Sequence, residues 1–504
     1  MSACLPSCNT CVSLFLLSAA CPCSATATAR VITPMPSCFI SERCVPTGAR
    51  SHAGRIPARP RGCCSNEGRG PLSKSSAPQQ ASPAEASWAH RARQLDRYRW
   101  KMLRERHGLP GSFLRMARDA LVDFAVGVRA RICLGFSGSG VLADTLPCDT
   151  LLLHSAPKSM ALQRKNILID AVRARGWHLQ EAALLSPSLA CAKGQLLAPA
   201  QAVPLRYLAY AAHAQWLVAR YTPRVLINER NGSYHTPFLR LALAARDARL
   251  LHLAHATTLE SSRRLGMNDY DYYGVFGHSS LVALQERPLR FGTSTVVLLG
   301  SYLADETYDL PVADPAIKTL LVLGVGPDRE KEPGYLRTYE LLRDWAQRHP
   351  EYRMLFKRHP RSRARFWSDA AERLNNVGLL DTGCTLAEAF AQASVVINIM
   401  SNAGIESGLA GRPVIHVNAG NDVDIFSHAQ FFGPQVRDGE ELSRQLQALE
   451  QDYCKHVEQA RRFADYHLVY GSQGLAKTTQ LIDDLLRGHD PERDFETFEL
   501  PAAG

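Results

Sequence analysis

The sequence has no long hydrophobic run. Of its 504 residues, 46% are hydrophobic and 21% are charged, which are the proportions of a globular protein. No stretch approaches the roughly 18 to 20 consecutive apolar residues that a helix needs to cross a bilayer. An integral membrane protein is therefore not expected. Because 504 residues exceed one ordinary hydrophobic core, we expect two domains with extensions.

Cysteine pairs and cysteine spacings typical of metal sites are also missing beyond residue 65. Nine of the fourteen cysteines precede that residue. The other five are scattered and form no CxxC pair: Cys133, Cys148, Cys191, Cys384 and Cys454. Such cysteines are typical of small buried apolar residues in a reducing compartment. The pattern favours a cytoplasmic protein.

Residues 1–86 lack helical and strand periodicity. They combine Cys, Pro, Ser, Ala and Arg, and their one apolar run, Cys11–Ala20, is not preceded by the Lys or Arg of a secretory signal. We expect a disordered leader. A secretory signal, or a start upstream of the natural one, are the alternatives.

Basic residues are concentrated just after this leader. The net charge of the chain is +10, and seven Lys or Arg lie between Arg91 and Arg106. The pattern in 87–148 predicts two helices, broken at residues 109–111. Trp88, Tyr98 and Trp100 among these cations would suit the headgroup layer of an anionic membrane. A solvated basic helix that packs on the rest of the protein is the alternative.

Beyond these helices, short apolar runs alternate with amphipathic segments. This alternation is typical of parallel sheets with crossover helices. One series occupies residues 149–310 and a second occupies 311–487, with an acidic, proline-containing linker at 305–315. The predicted fold class is α/β, with two lobes facing a central cleft and a tail at 488–504.

Ligands of such lobes bind where strands end, and one predicted strand, RMLFK, ends in a cluster of cations. Lys357, Arg358 and His359 come directly after its apolar run. Pro360 can begin the next helix, whose N–H groups add positive potential for a phosphate. The alternative is a set of basic residues on a solvated turn.

A second strand exit combines small and polar residues in VVINIMSNAGIES. Ser401 and Asn402 lie between a strand and a helix N-terminus, where the amides of Ala403 and Gly404 are predicted to be open to an anion. Glu406 could accept hydrogen bonds from ribose hydroxyls, or could simply place a favourable charge near the helix start.

KRHP at residues 357–360, followed by SNAGIESGLAGRPVI from Ser401, resembles a signature of bacterial glycosyltransferases of the GT-B fold. Similar patterns belong to capsular polysaccharide synthesis proteins, sialyl- and polysialyltransferases, and the CDP-glycerol glycerophosphotransferases of teichoic-acid synthesis. The resemblance covers residues 149–487 and implies two Rossmann-like lobes. It implies that the donor nucleotide is bound by Lys357, Arg358, His359, Ser401, Asn402 and, near its ribose, Glu406.

Further site residues are expected at other strand exits. Gly324 and Gly326 in GVGPDR would let the backbone approach the donor, although a simple turn is the alternative. The first lobe should supply the acceptor pocket and the general base of an inverting transfer, for which we select His255 and Glu229. The glycerophosphotransferase-like families carry His-Gly after the corresponding strand, whereas this sequence has His255 followed by Ala256.

No Asp-x-Asp motif follows a strand in 149–487, and the sequence has no cluster of metal ligands there. The resemblance implies that cationic side chains and helix ends replace Mg²⁺ at the departing phosphate. We therefore predict a metal-independent transferase without a cofactor, which uses a CMP-, CDP- or UDP-linked donor.

The predicted enzyme transfers a sugar or glycerophosphate group to a surface or capsular polysaccharide acceptor. It would be cytoplasmic, in possible peripheral contact with the inner face of an anionic membrane, and would bind no nucleic acid. A sugar-nucleotide epimerase of the same architecture is one alternative. A non-catalytic nucleic-acid-binding or scaffold protein is another.

Overall fold

The computed structural model describes residues 87–136, 142, 144–161, 163, 165–257, 259, 263–327, 329–362 and 364–503. The predicted disordered leader, residues 1–86, lies outside the described residues. Within them, no helix combines the length and the apolarity that crossing a bilayer requires.

The described chain begins with a helical hairpin, α1 (Trp88–Arg106) and α2 (Leu109–Phe136). Ser87 caps α1, since its hydroxyl accepts the N–H of His90 at 3.1 Å. The break between the two helices lies at residues 107 and 108, slightly before the predicted 109–111. Pro110 lies in the first turn of α2, where a proline loses no helical hydrogen bond.

The aromatic face of α1 packs inward. Trp88 is 3% exposed and lies 5.9 Å from Phe238, and Tyr98 is 6% exposed and lies 5.6 Å from Phe291. The predicted exposure of Trp88 and Tyr98 to a membrane is therefore wrong. Burial of two large rings stabilises the hairpin on the first lobe more than their exposure to headgroups would have done.

A buried ion pair fixes α1 to α2. Arg99 donates to Asp123 at 2.6 Å and lies over the ring of Tyr234, 4.7 Å from its centroid. The hairpin packs on the following lobe so closely that a Cβ at Gly127 would lie 1.9 Å from the carbonyl oxygen of Leu205. The inner face of α2 is thus committed to the first lobe.

The first lobe contains a seven-stranded sheet. Its strands are β1 (Thr150–His154), β2 (Leu179–Ala183), β3 (Val225–Asn228), β4 (Arg249–Leu253), β5 (Tyr272–Val275), β6 (Ser294–Leu298) and β12 (Thr497–Leu500). They lie in the order β12-β6-β5-β4-β3-β1-β2, and all neighbours are parallel except the β12–β6 pair. The helices of this part are α3 (Pro157–Ala161), α4 (Asn166–Ala174), α5 (Pro187–Ala192), α6 (Leu205–Tyr221), α7 (Thr236–Ala244) and α8 (His278–Gln285).

The second lobe contains a five-stranded parallel sheet. Its strands are β7 (Thr319–Leu323), β8 (Arg353–Lys357), β9 (Val377–Leu379), β10 (Val395–Asn398) and β11 (Val414–His416), in the order β11-β10-β7-β8-β9. The remaining helices are α9 (Pro333–Arg348), α10 (Phe366–Arg373), α11 (Leu386–Ala391), α12 (Ala403–Leu409), α13 (His428–Phe432), α14 (Gly439–Gln451), α15 (Tyr453–His467) and α16 (Gly474–Arg487). The predicted α/β fold with two Rossmann-like lobes is confirmed.

The chain returns to the first lobe at its carboxyl end. Asp483 of α16 accepts the indole N–H of Trp177 at 2.8 Å, and β12 pairs with β6. The structure differs here from the sequence analysis, which assigned α16 to the second lobe and left residues 488–504 as a tail. A single short strand without a neighbour in sequence gives no pattern from which its antiparallel partner could be inferred.

Candidate functional site

The strand order of the second sheet identifies one crevice. The chain builds β7, β8 and β9 in one direction and then crosses back to place β10 on the other side of β7. Ligands of such sheets bind outside the carboxyl ends of the strands at this reversal. Gly324 and Ser401 stand beyond the two strands concerned, and the KRHP turn lies one strand farther, at the same edge of the sheet.

Lys357 is engaged with the neighbouring loop. Its ammonium group donates to the carbonyl oxygens of Asp381 and Cys384, the former at 3.4 Å. These contacts point the side chain toward the β9 side of the sheet. Lys357 therefore holds the loop between β9 and α11, and a donor contact would require it to leave these carbonyls.

Arg358 and His359 line a cavity of about 650 Å³, a size typical of small-molecule sites. Its other lining residues are Pro360, Ser362, Ala364, Arg365, Ser368, Asp369, Glu372 and Thr382. The Nε of Arg358 is buried and has no hydrogen-bond partner within the described residues. A buried cationic donor without an acceptor is costly in a finished structure, so it marks a place where an anion would be stabilised.

A hydrogen bond to His359 shows which of its ring nitrogens is an acceptor. Nδ1 accepts the N–H of Arg361 at 3.1 Å, so in the neutral ring the proton is on Nε2. The same turn is closed by Ser362, whose N–H donates to the carbonyl of His359 at 2.8 Å and whose hydroxyl donates to the buried carboxylate of Glu330 at 2.5 Å. The imidazole is thus held on a fixed turn.

The Ser401 turn is organised by its own hydrogen bonds. The N–H of Ala403 donates to the Ser401 hydroxyl at 3.3 Å, and the N–H of Gly404 donates to the Ser401 carbonyl at 3.1 Å. The two amides that the sequence predicted to be open are therefore already engaged. Gly404 is required for packing, since an added Cβ would lie 2.2 Å from the Nδ2 of Asn398.

Glu406 has an environment suited to proton exchange. The residue is half-buried, and its carboxylate accepts a hydrogen bond from the hydroxyl of Tyr308 at 3.4 Å. Burial raises the pKa of Glu406 to about 7, because the single hydrogen bond from Tyr308 offsets only part of the desolvation. Its protonation state therefore changes within the physiological range.

The two glycines of GVG differ in what surrounds them. A Cβ at Gly324 would lie 2.9 Å from the carbonyl oxygen of Lys357, so this glycine allows β7 to approach β8 closely. A Cβ at Gly326 would meet nothing closer than the Arg361 guanidinium at 3.7 Å. Gly324 has a packing role, and Gly326 leaves open space beside a cation.

The first sheet has its own reversal, between β1 and β3, and Glu229 lies there. Its carboxylate accepts the N–H of Ser155 at 3.1 Å, forms an ion pair with Lys165, and lies 3.6 Å from Nδ1 of His154. Burial opposes ionisation, but hydrogen bonding to His154 and the charge of Lys165 outweigh it and lower the pKa of Glu229 to about 2.

This environment is unfavourable for one of the two predicted general bases. A carboxylate with a pKa near 2 is a weak proton acceptor at neutral pH, and its ion pair occupies the oxygen atoms. Glu229 instead ties the strand exits together. Sequence reasoning missed His154 and Lys165; His154 ends the apolar run of β1, and that position was the available signal.

His154 extends the network toward β2. Its Nε2 lies 2.8 Å from Glu181, whose side chain is 31% exposed. Burial would lower the pKa of His154, but the nearby carboxylates of Glu229 and Glu181 raise it. A protonated His154 is thus stabilised between two carboxylates.

His255 lies at the boundary between the lobes. It is exposed just beyond β4, and two residues later the hydroxyl of Thr257 donates to Asn402 of the second lobe at 2.7 Å. The neighbouring His252 is buried beneath it, and desolvation lowers the pKa of His252 to about 3, so this imidazole stays neutral. The structure therefore places Thr257, two residues beyond His255, in an interlobe contact with Asn402.

Three side chains near β10 are of the kinds that bind metal ions, and they lie close together. Donor atoms of His416, Asp424 and His428 lie within 4.8 Å of one another. Both ring nitrogens of His428 are used, by Asp424 at 2.7 Å and by Asn398 at 2.9 Å. These hydrogen bonds join His428 to Asp424 and Asn398 but do not include His416, and metal independence stays a prediction.

Comparisons with known proteins give fold relatives only. No family model and no curated protein matches the chain. Among solved structures it is similar to a UDP-GlcNAc 2-epimerase from Neisseria meningitidis bound to UDP-GlcNAc, with 10% identity over 68% of this chain and 100% of that chain and a TM-score of 0.43. It is also similar to the glycosyltransferase of kitacinnamycin, with 16% identity over 67% of this chain and 99% of that chain and a TM-score of 0.44. A third similar structure is the wall teichoic acid polymerase TagF, with 12% identity over 68% of this chain and 90% of that chain and a TM-score of 0.37. We therefore infer the function from the residues of the site.

Proposed function

We propose that the protein is a glycosyltransferase that binds a nucleotide-activated sugar at the second lobe and a glycan acceptor at the first. The observation that carries this proposal is the common edge of the second sheet, where the exits of β7, β8 and β10 lie side by side. At about 4.8 Å between neighbouring strands, the exits of β8 and β10 are roughly 10 Å apart, which a diphosphate and its sugar can span.

The donor phosphates would be held by cationic and imidazole donors. Arg358 supplies a buried N–H without a partner, and Nε2 of His359 carries the proton of the neutral ring. Both stabilise negative charge that grows on the leaving phosphate as the glycosidic bond breaks. Ser401 and Asn402 would position the donor from the β10 side, with Glu406 accepting hydrogen bonds from the ribose.

The acceptor reaction requires a base on the first lobe. In an inverting transfer the acceptor hydroxyl forms the new bond to the anomeric carbon, its proton passes to the base, and the nucleotide leaves with the bonding electrons. The position of His255 next to the Thr257–Asn402 contact supports His255 in this role. The ion pair of Glu229 supports a positioning role for that carboxylate.

The acceptor would be a surface or capsular polysaccharide, and the reaction would need neither a metal nor another cofactor. A CMP-, CDP- or UDP-linked donor suits the same cationic turn, since each carries a phosphate beside the transferred group. Retained activity in EDTA is the expected outcome, and activity that EDTA abolishes and Mn²⁺ restores would contradict the metal-independent proposal.

A nucleotide panel tests the donor site. We expect one of CMP, CDP, UDP or GDP to raise the melting temperature of the parent protein and to have little effect on His359→Ala. The matched control is His489→Ala, because His489 is a largely exposed histidine outside the second sheet. Equal nucleotide shifts in both variants would exclude His359 from the donor site.

Nucleotide release distinguishes transfer from the alternatives. A transferase releases the nucleotide only when an acceptor glycan is present. An epimerase interconverts the donor sugar, and release without acceptor indicates a hydrolase or epimerase. Glycan synthesis that is retained after removal of residues 1–86 would count against a nucleic-acid-binding or scaffold function of the leader.

A further inference from the structure

Helix α2 has a second apolar face that no described residue covers. Eight of its large hydrophobic side chains are 37–71% exposed: Leu109, Phe113, Leu114, Leu121, Val122, Phe124, Val128 and Ile132. Monomeric proteins scatter exposed hydrophobic residues singly, whereas a contiguous set marks a surface that contacts something else. Because the inner face of α2 is already occupied by the first lobe, this set is not needed for the fold.

The exposed side chains form a stripe along the helix. At about 100° per residue, Phe113, Leu114, Leu121, Phe124, Val128 and Ile132 fall within one sector of about 100°. Buried Ser112, Asp123 and Ala130 lie on the opposite side. That inner side also packs the apolar Val126 and Leu134 on the first lobe, so the outward apolar residues are additional to those that the fold uses. We name this set of six residues the outer stripe.

Cations border the outer stripe. Arg118 and Arg129 are exposed and lie beside one margin, and exposed Arg131 lies at the other edge. Helices α1 and α2 together hold eleven Lys or Arg against four Asp or Glu, and three of those acids, Asp96, Asp119 and Asp123, are paired with arginines. The surface around the stripe therefore carries a positive surplus.

From this arrangement we propose that the outer stripe of α2 docks the protein on an anionic lipid bilayer. Apolar side chains enter the acyl boundary while flanking arginines remain among the phosphate headgroups, which is how an amphipathic helix lies in a membrane surface. A second copy of the chain is disfavoured as the occupant, because pairing two outer stripes would bring their arginine margins together. The proposal does not depend on the proposed transferase activity.

Docking through α2 has a consequence for orientation. The helix packs on the first lobe through Gly127, so the first lobe would lie against the bilayer.

Flotation of the full chain with lipid vesicles tests the proposal. We expect binding to vesicles of phosphatidylcholine mixed with phosphatidylglycerol, and not to phosphatidylcholine alone. The pair Val128→Gln with Ile132→Gln should weaken binding roughly tenfold or more, since two apolar side chains lose their burial. These residues are 37% and 53% exposed, so their replacement leaves the melting temperature unchanged.

A residue-matched control lies outside α2. Val312 and Ile317 are 50% and 56% exposed, and Val312→Gln with Ile317→Gln should bind vesicles like the parent. Arg118→Gln should also weaken binding, whereas Arg343→Gln should not; each of these arginines pairs with the aspartate that follows it in sequence.

Three results would overturn the proposal. The first is that the parent does not bind anionic vesicles at low ionic strength. The second is that Val128→Gln with Ile132→Gln and Val312→Gln with Ile317→Gln reduce binding equally. A concentration-dependent dimer that only Val128→Gln with Ile132→Gln dissolves, without vesicle binding by the parent, would identify a second copy as the occupant.

Discussion

At the scale of single residues, burial and pairing separate groups that look alike in the sequence. Glu229 and Glu406 both follow buried strands at the carboxyl edge of their sheets. Lys165 and His154 hold the pKa of Glu229 near 2, whereas Glu406 has one long hydrogen bond and a pKa near 7. The first is a structural anion, and the second can gain or lose a proton during binding.

Replacing Lys165 by Met should destabilise the first lobe. The ionised Glu229 would lose its partner, at a cost of about 3 kcal/mol or more at neutral pH, which urea denaturation measures. Because the pKa of Glu229 is lowered from 4.5 to about 2, the stabilisation is complete above pH 4.5 and is lost as pH falls toward 2. The variant should show a weaker pH dependence, because His154 still lowers the pKa of Glu229.

Lys318→Met is the matched control. Lys318 also pairs with a glutamate, at 3.2 Å from Glu450, and lies 4.8 Å from the ring centroid of Tyr352, as Lys165 lies 4.7 Å from that of Tyr302. Its pair is exposed by 40% and 34%, so we expect a loss below about 1 kcal/mol. Equal losses in the two variants would show that the Glu229 ion pair adds nothing through burial.

Glu406 should make nucleotide affinity depend on pH. If its carboxylate accepts the ribose hydroxyls, affinity falls below a pH of about 7, by up to about tenfold per unit, because the protonated form lacks that acceptor capacity. Titration calorimetry on either side of this pH measures the effect. Glu406→Gln should flatten the profile, while Glu458→Gln, on the exposed surface of α15, should retain it; identical profiles in all three proteins would rule out a ribose contact by Glu406.

At the scale of elements, helix packing depends on how closely two backbones can approach as much as on apolar periodicity. Gly127→Ala should displace α2 from α6 and cost about 1–3 kcal/mol, because its Cβ would lie 1.9 Å from a backbone oxygen. A Cβ at Gly135 in the same helix meets no described residue within 4 Å, and Gly135→Ala should raise stability by up to about 1 kcal/mol. Thermal unfolding measures both, and a neutral Gly127→Ala would contradict the packing described.

The sequence predicts elements well where periodicity is strong. The strand RMLFK lies at Arg353–Lys357, where its apolar run predicts it, and the two helices predicted in 87–148 are α1 and α2. Exposure was predicted less well than element type: Trp88 and Tyr98 are buried because tertiary packing, which no local pattern encodes, covers the basic helix.

For the candidate site, the sequence predicts which residues follow the ends of strands, but it does not predict which side chains contact one another. Alternating α/β patterning determines which residues end a strand, so the KRHP and Ser401 turns were found. Partners from distant segments decide the rest: Lys357 bonds the carbonyl oxygen of Cys384, and Lys165 pairs with Glu229. No spacing in the sequence relates those pairs.

At the scale of the whole molecule, the chain closes its first sheet with its last strand. Truncation after residue 487 removes β12 and leaves β6 as an open edge, so we expect lower soluble yield and a lower melting temperature. Truncation after Leu500 keeps the β12–β6 ladder and should be much milder. Light scattering and thermal unfolding compare the two, and equal stability would show that the closing strand is dispensable.

The proposed function requires that the nucleotide donor binds at the carboxyl edge of the second sheet, beyond the exits of β7, β8 and β10. A crystal structure with bound UDP or CDP tests this claim most directly. We predict phosphate density beyond the exits of β7, β8 and β10, with Arg358 or His359 donating to it at about 2.7–3.2 Å. Nucleotide bound elsewhere, with Arg358 and His359 making no contact to phosphate, would contradict the account.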